Sequence, residues 1–154
     1  MSPSLPAQVS VSQVRRPVAV VFVDQGAGFW LRPLKPGYRH CFVALRQQPG
    51  LWLICDPLKD RIEVSAVEVE RDVDLADIYR AAGHRVWLGT SLPRAARPWA
   101  SVPGPLTCVA VVKRLIGLGA PWVVTPFQLH RHLLAISAVP CLCSGDRNKY
   151  LTYG

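Results

Sequence analysis

An α+β fold is expected from this sequence: an antiparallel sheet made by strands of the N-terminal region, packed against C-terminal helices. Three observations carry that expectation. Pro17 to Asp24 (PVAVVFVD) is a short, nearly continuous apolar run rich in valine, the mark of a buried strand. The runs His40 to Leu45 and Leu51 to Cys55 flank a Pro49-Gly50 pair that suits a tight turn, which makes them an antiparallel hairpin. Helical spacing dominates only later, over Leu106 to Leu118 and again from Thr125, so strands precede the main helices.

Bulk properties frame those elements. The chain has 154 residues, enough for one domain with a sizeable core; we expect a mobile arm over 1–16 and a single domain over 17–154. Half of the residues are apolar, yet no apolar run approaches the roughly 20 residues that span a bilayer. The first residues lack the compact apolar core of a secretory signal, and five cysteines at irregular spacings do not make a disulfide framework. A reducing, cytoplasmic location is expected. The net charge of +8 favours anionic partners, but its arginines and lysines are scattered and form no basic block, so a nucleic-acid partner is not expected.

The remaining elements follow in order. Arg61 to Val69 alternates apolar Ile62, Val64 and Ala66 with polar neighbours and slips phase at Val67, which predicts a half-exposed strand with a bulge there. Asp74 to Gly83 starts acidic and ends in glycine, as a short helix does. His84 to Leu88 is a further strand, and Ser91 to Pro105, with four prolines, is loop. In Leu106 to Leu118, Val109, Val112 and Ile116 share one face and Lys113-Arg114 another, with Gly117 and Gly119 at the end. Thr125-Pro126-Phe127-Gln128 reads as a capping box with proline at the first helical position, opening a helix to about Ala135. Weak strand character around Pro140-Cys141-Leu142 closes the chain.

The residues suited to chemistry are Cys108, His40 and Asp56. With Gly104 or Thr107 as N-cap, Cys108 lies in or near a first helical turn, where free N–H groups and the helix dipole favour a thiolate. Burial against the core is the competing explanation, since free cysteine is among the most buried residue types. His40 at the start of its strand can act as general base; His84 begins another strand, and His130 and His132 fit a helix surface. A three-residue hairpin loop at Gln47 to Pro49 sets Asp56 opposite His40 on the same face, where a carboxylate fixes the imidazole tautomer. A turn residue before Pro57 is the other reading of Asp56. Cys41 follows His40 directly, points to the opposite face, and is set aside.

A histidine strand (Arg39-His40-Cys41-Phe42), a polar residue on the next strand (Leu53-Ile54-Cys55-Asp56), then a cysteine opening a later helix (Thr107-Cys108-Val109-Ala110-Val111-Val112-Lys113) resembles the circularly permuted NlpC-type papain-like hydrolases. The likeness covers His40 to about Ile116. It lacks the Asn-Cys-Glu-His box of the acyltransferase relatives, whose place Thr107-Cys108-Val109-Ala110 takes, so lipid acyl transfer is not implied. The resemblance implies a permuted papain-like fold and a cysteine hydrolase of small bacterial or phage type. It further implies a peptide or peptidoglycan amide as substrate, an acyl-enzyme on Cys108, and no cofactor.

Two rivals stand beside that reading. Cys141 and Cys143 with His130 and His132 offer four metal ligands, but Cys-x-Cys is not the usual zinc spacing and His-x-His on a helix splays the rings, so no metal is expected. The other is a non-enzymatic structural or assembly protein of a phage or bacterium, virion-associated and with assembly partners, since a fold does not fix function.

Overall fold

The computed structural model describes residues 16–25, 32–91 and 107–138. They form an α+β fold: five strands in one antiparallel sheet, with three helices. In chain order the elements are β1 (Pro17–Val23), β2 (His40–Gln48), β3 (Leu51–Pro57), β4 (Ile62–Glu68), α1 (Leu75–Ala81), β5 (Arg85–Thr90), α2 (Cys108–Ile116) and α3 (Pro126–Ala138). Spatially the strands run β4-β3-β2-β1-β5, so the first four form a meander and the connection through α1 brings β5 to the far side of β1. Residues 1–15 of the arm expected over 1–16, most of the proline-rich loop and the tail from Val139 lie outside the described residues, while Arg16 N donates to Ser91 Oγ at 3.1 Å.

Helices cover both faces of the sheet, and this explains why β1 is apolar at every position. Val18, Val20 and Phe22 join a core with Cys41, Val43, Cys55, Val109, Val112, Leu129 and Leu133, the side of α2 and α3. The alternate residues Ala19, Val21 and Val23 face the side of Leu75 and Tyr79 on α1. Full burial of each such valine contributes about 1.5–3 kcal/mol. Trp87 of β5 donates from its indole Nε1 to Ser137 Oγ at 2.9 Å, and Ser137 Oγ donates to Leu133 O at 2.8 Å, which ties α3 to the sheet.

The β2–β3 hairpin differs from expectation in a way that matters for the site. β2 continues to Gln48, which pairs with Leu51 across a two-residue turn, Pro49-Gly50, rather than a three-residue loop. Proline followed by a glycine at φ +82° is the residue order of a type II turn. A Cβ on Gly50 would also stand 2.7 Å from Val69 O. The bulge falls in β2 between Arg46 and Gln48; β4 pairs with β3 without interruption from Leu51↔Glu68 to Pro57↔Ile62, which corrects the phase slip expected at Val67. As an edge strand, β4 is exposed over most of its length, with Ile62 and Val64 open to solvent.

The helix boundaries follow their caps. Asp74 Oδ1 accepts from Ala76 N at 2.9 Å to start α1. α2 ends at Gly117, whose φ of +77° is the left-handed conformation glycine adopts freely. Lys113, off the apolar face of α2, is tied down as well: its Nζ donates to Ala120 O at 2.8 Å and Val123 O at 2.7 Å, pinning the α2–α3 connection. At α3 the capping box forms as the sequence predicts, with Gln128 N donating to Thr125 Oγ1 at 3.2 Å and Thr125 N donating back to Gln128 Oε1 at 3.1 Å. That helix runs on to Ala138. No helix among the described residues is long and apolar enough to cross a membrane.

Candidate active site

The site begins where the sheet splits. β2 pairs with β3 from the turn as far as Val43↔Cys55. Beyond that pair, β2 stays with β1 to Val23↔His40, and β3 stays with β4 to Pro57↔Ile62. The two strands therefore part at their open end, and His40, Cys41 and Asp56 line the fork. α2 packs on β2 and β3, and its first residue, Cys108, meets the fork.

His40 and Asp56 are not directly opposite. The register carried one step past Val43↔Cys55 sets Asp56 level with Phe42, two residues from His40. The difference from the sequence expectation is two positions, so alternation keeps both side chains on one face. A diagonal of this kind is within reach of longer side chains. His40 Nε2 and Asp56 Oδ1 stand 2.6 Å apart, with side chains 18% and 32% exposed, sheltered enough to strengthen the pair and open enough to reach solvent. Asp56 lies within β3 rather than in a turn.

Cys108 is the first residue of α2. Thr107 is its N-cap, in extended conformation, with Oγ1 accepting from Ala110 N at 3.2 Å. The Cys41 thiol and backbone N–H and the His40 ring lie near enough to the Cys108 sulfur to stabilise its thiolate. The Cys41 thiol is the largest influence; with the His40 ring and its charge it outweighs burial and lowers the Cys108 thiol to about 5. Burial works against a charged His40, but the hydrogen bond to Asp56 and the sulfur of Cys108, together with their charges, raise it to about 9. Between these values the resting pair is thiolate and imidazolium. With Nε2 engaged by Asp56, the ring nitrogen left for Cys108 is Nδ1.

All three sequence-predicted site residues thus meet. Cys41, set aside because it faces away from His40, is the residue that sequence reasoning missed. It does face away, but α2 lies on the side it faces, and its thiol is buried against Cys108. Cys108 and burial hold the Cys41 thiol well above its ordinary range. Alternation puts Cys41 on the same side of the sheet as Val43, but nothing in the sequence says that the cysteine helix takes that side.

The other histidines are placed differently. His130 is half-buried rather than on a helix surface; its Nδ1 lies 3.1 Å from Tyr38 OH, its ring packs edge-on to Phe22, and burial lowers its pKa. His132 stacks edge-on to Trp122. No group of three or more metal-binding side chains occurs among the described residues, and Cys141 and Cys143 lie outside them. Compared with known proteins, the chain matches no family model, no curated protein and no solved structure.

Proposed function

We propose that the chain is a cysteine hydrolase of amide bonds, with Cys108 as nucleophile, His40 as acid and base, and Asp56 orienting His40. The observation that carries this reading is the continuous contact Asp56–His40–Cys108 at a helix start. The order of histidine strand, carboxylate strand and cysteine helix is that of the permuted NlpC-type hydrolases, which favours a peptide or peptidoglycan amide.

The chemistry follows from the ion pair. The Cys108 thiolate attacks the amide carbonyl carbon, and the electron pair moves to oxygen. The Cys108 backbone N–H, unpaired within the first turn of α2, is a donor for that oxyanion. The His40 imidazolium gives its proton to the leaving nitrogen, the C–N bond breaks, and an acyl thioester remains on Cys108. Neutral His40 then takes a proton from water as the water attacks the thioester, and the acid product leaves with the thiolate restored. Asp56 holds the ring and stabilises its charged form throughout.

Alkylation of Cys108 by iodoacetamide tests the reading. Its rate is expected to stay nearly flat from pH 6 to 8 and to fall only as the thiol gains its proton near 5, whereas an ordinary thiol slows about tenfold per unit below its pKa of ~8.5. His40→Ala should slow the reaction at pH 6 by about tenfold or more. A rate that climbs with pH as for a free thiol and ignores His40→Ala would overturn the assignment and leave a structural or assembly role standing.

A further inference from the structure

We propose that Cys41 is the resolving thiol of a redox-sensitive pair, closing a reversible disulfide onto Cys108 when a hydroperoxide oxidises it. The inference rests on the reading of Cys108 as a reactive thiolate and adds a mode of regulation to that site. Three observations meet here. Cys41 is fully buried on the sheet face that α2 covers, in the core against which Cys108 packs. α2, which carries Cys108, packs on β2, which carries Cys41, and the two thiols are near enough to shift each other's acidity in opposite directions. The β2–β3 register ends at Val43↔Cys55, so at Cys41 the strand is laddered to β1 alone and is less constrained than in mid-sheet.

The steps balance. The Cys108 thiolate attacks the hydroperoxide: an S–O bond forms, the O–O bond breaks, and the alkoxide leaves as an alcohol after taking a proton. Cys108 is then a sulfenic acid. The negative sulfur that held the proton on Cys41 is gone, so that proton can transfer to the departing oxygen. The Cys41 sulfur attacks the sulfenic sulfur, the S–O bond breaks, water leaves, and the S–S bond forms. Two electrons pass from the two thiols to the peroxide, and a dithiol reductant returns both thiols by exchange.

Cys41 also lowers the pKa of Cys108, so its replacement alters catalysis as well, and activity alone does not test the pair. A direct test uses the full chain carrying Cys141→Ser and Cys143→Ser, treated at pH 7 with two equivalents of hydrogen peroxide, enough for either the disulfide or the sulfinic acid, then alkylated, digested without reductant and mapped by mass spectrometry. The expected product is one cross-linked peptide pair containing Cys41 and Cys108, lighter by two hydrogens and reopened by dithiothreitol. In Cys41→Ala, or Cys41→Ser should the alanine variant not fold, Cys108 should instead advance to the sulfinic acid, heavier by two oxygens. Sulfinic acid on Cys108 with Cys41 present, or a cross-link to Cys55, would overturn the inference. Where that happens with flat, rapid alkylation of Cys108, the hydrolase reading survives alone; slow alkylation that tracks a free thiol removes the reading beneath it.

Discussion

α2 and α3 both begin after a threonine, and the contrast between those starts separates a structural helix end from a reactive one. At α3, Thr125 Oγ1 and Gln128 Oε1 exchange hydrogen bonds with the opposing backbone, Gln128 also accepts from Val124 N at 3.0 Å, and Pro126 at the first position has no N–H to satisfy. At α2 the threonine cap is present, but the residue three positions on is Ala110, which returns nothing, and the first position is Cys108. The first position of α2, Cys108, also keeps the backbone N–H that Pro126 lacks at α3, and that N–H faces the end of the helix that favours negative charge. One helix end is closed by its own side chains; the other stays electropositive beside a thiol.

Substitutions sharpen the contrast, beginning with the largest effect. Cys108→Ser should leave α2 formed, as circular dichroism would show, while hydrolysis of a peptide or peptidoglycan amide falls by about 10³-fold or more. A variant that retained activity would remove the thiol from the mechanism. Asp56→Asn is expected to slow the same reaction by about tenfold or more. Because the hydrogen bond and charge of Asp56 help raise His40 to about 9, their loss lowers that pKa and should move the alkaline limb of the pH–rate profile to lower pH. An unmoved limb would mean that Asp56 does not act on the imidazole. The smallest effects come from the caps themselves. Thr125→Ala and Thr107→Ala should each cost about 1 kcal/mol in urea unfolding. Only Thr107→Ala is expected to slow alkylation of Cys108; an equal response from both would erase the distinction between the two helix starts.

Local signals made most of the fold legible. The valine run of β1, the Asp74 and Thr125 caps and the glycine at 117 each act through neighbouring residues, and each appears where its chemistry requires. The hairpin loop was harder to read, because Arg46-Gln47-Gln48 fits both a loop and the end of a strand; a bulge between Arg46 and Gln48 settles the competition in favour of the strand. The error shifted Asp56 by two places and so preserved its face. Cys41 was lost for a different reason. Its orientation was read relative to His40 alone, while the layer occupied by α2 is set by long-range packing, which no local pattern records. The bonds of Lys113 are equally absent from any local pattern, since its acceptors, Ala120 O and Val123 O, belong to a connection with no periodicity.

The fork lies at the open end of the β2–β3 hairpin, while the helix that fills it is made much later in the chain. Contacts between such distant segments carry a loop-closure cost and form late in folding. During synthesis His40, Cys41 and Asp56 therefore leave the ribosome well before Cys108, and until α2 docks the cysteine has the weak acidity of an unfolded thiol. The lowered pKa of Cys108 is thus a property of the tertiary structure: the nascent chain carries an ordinary thiol, and in the proposed hydrolase the nucleophile exists only once α2 is seated on β2 and β3.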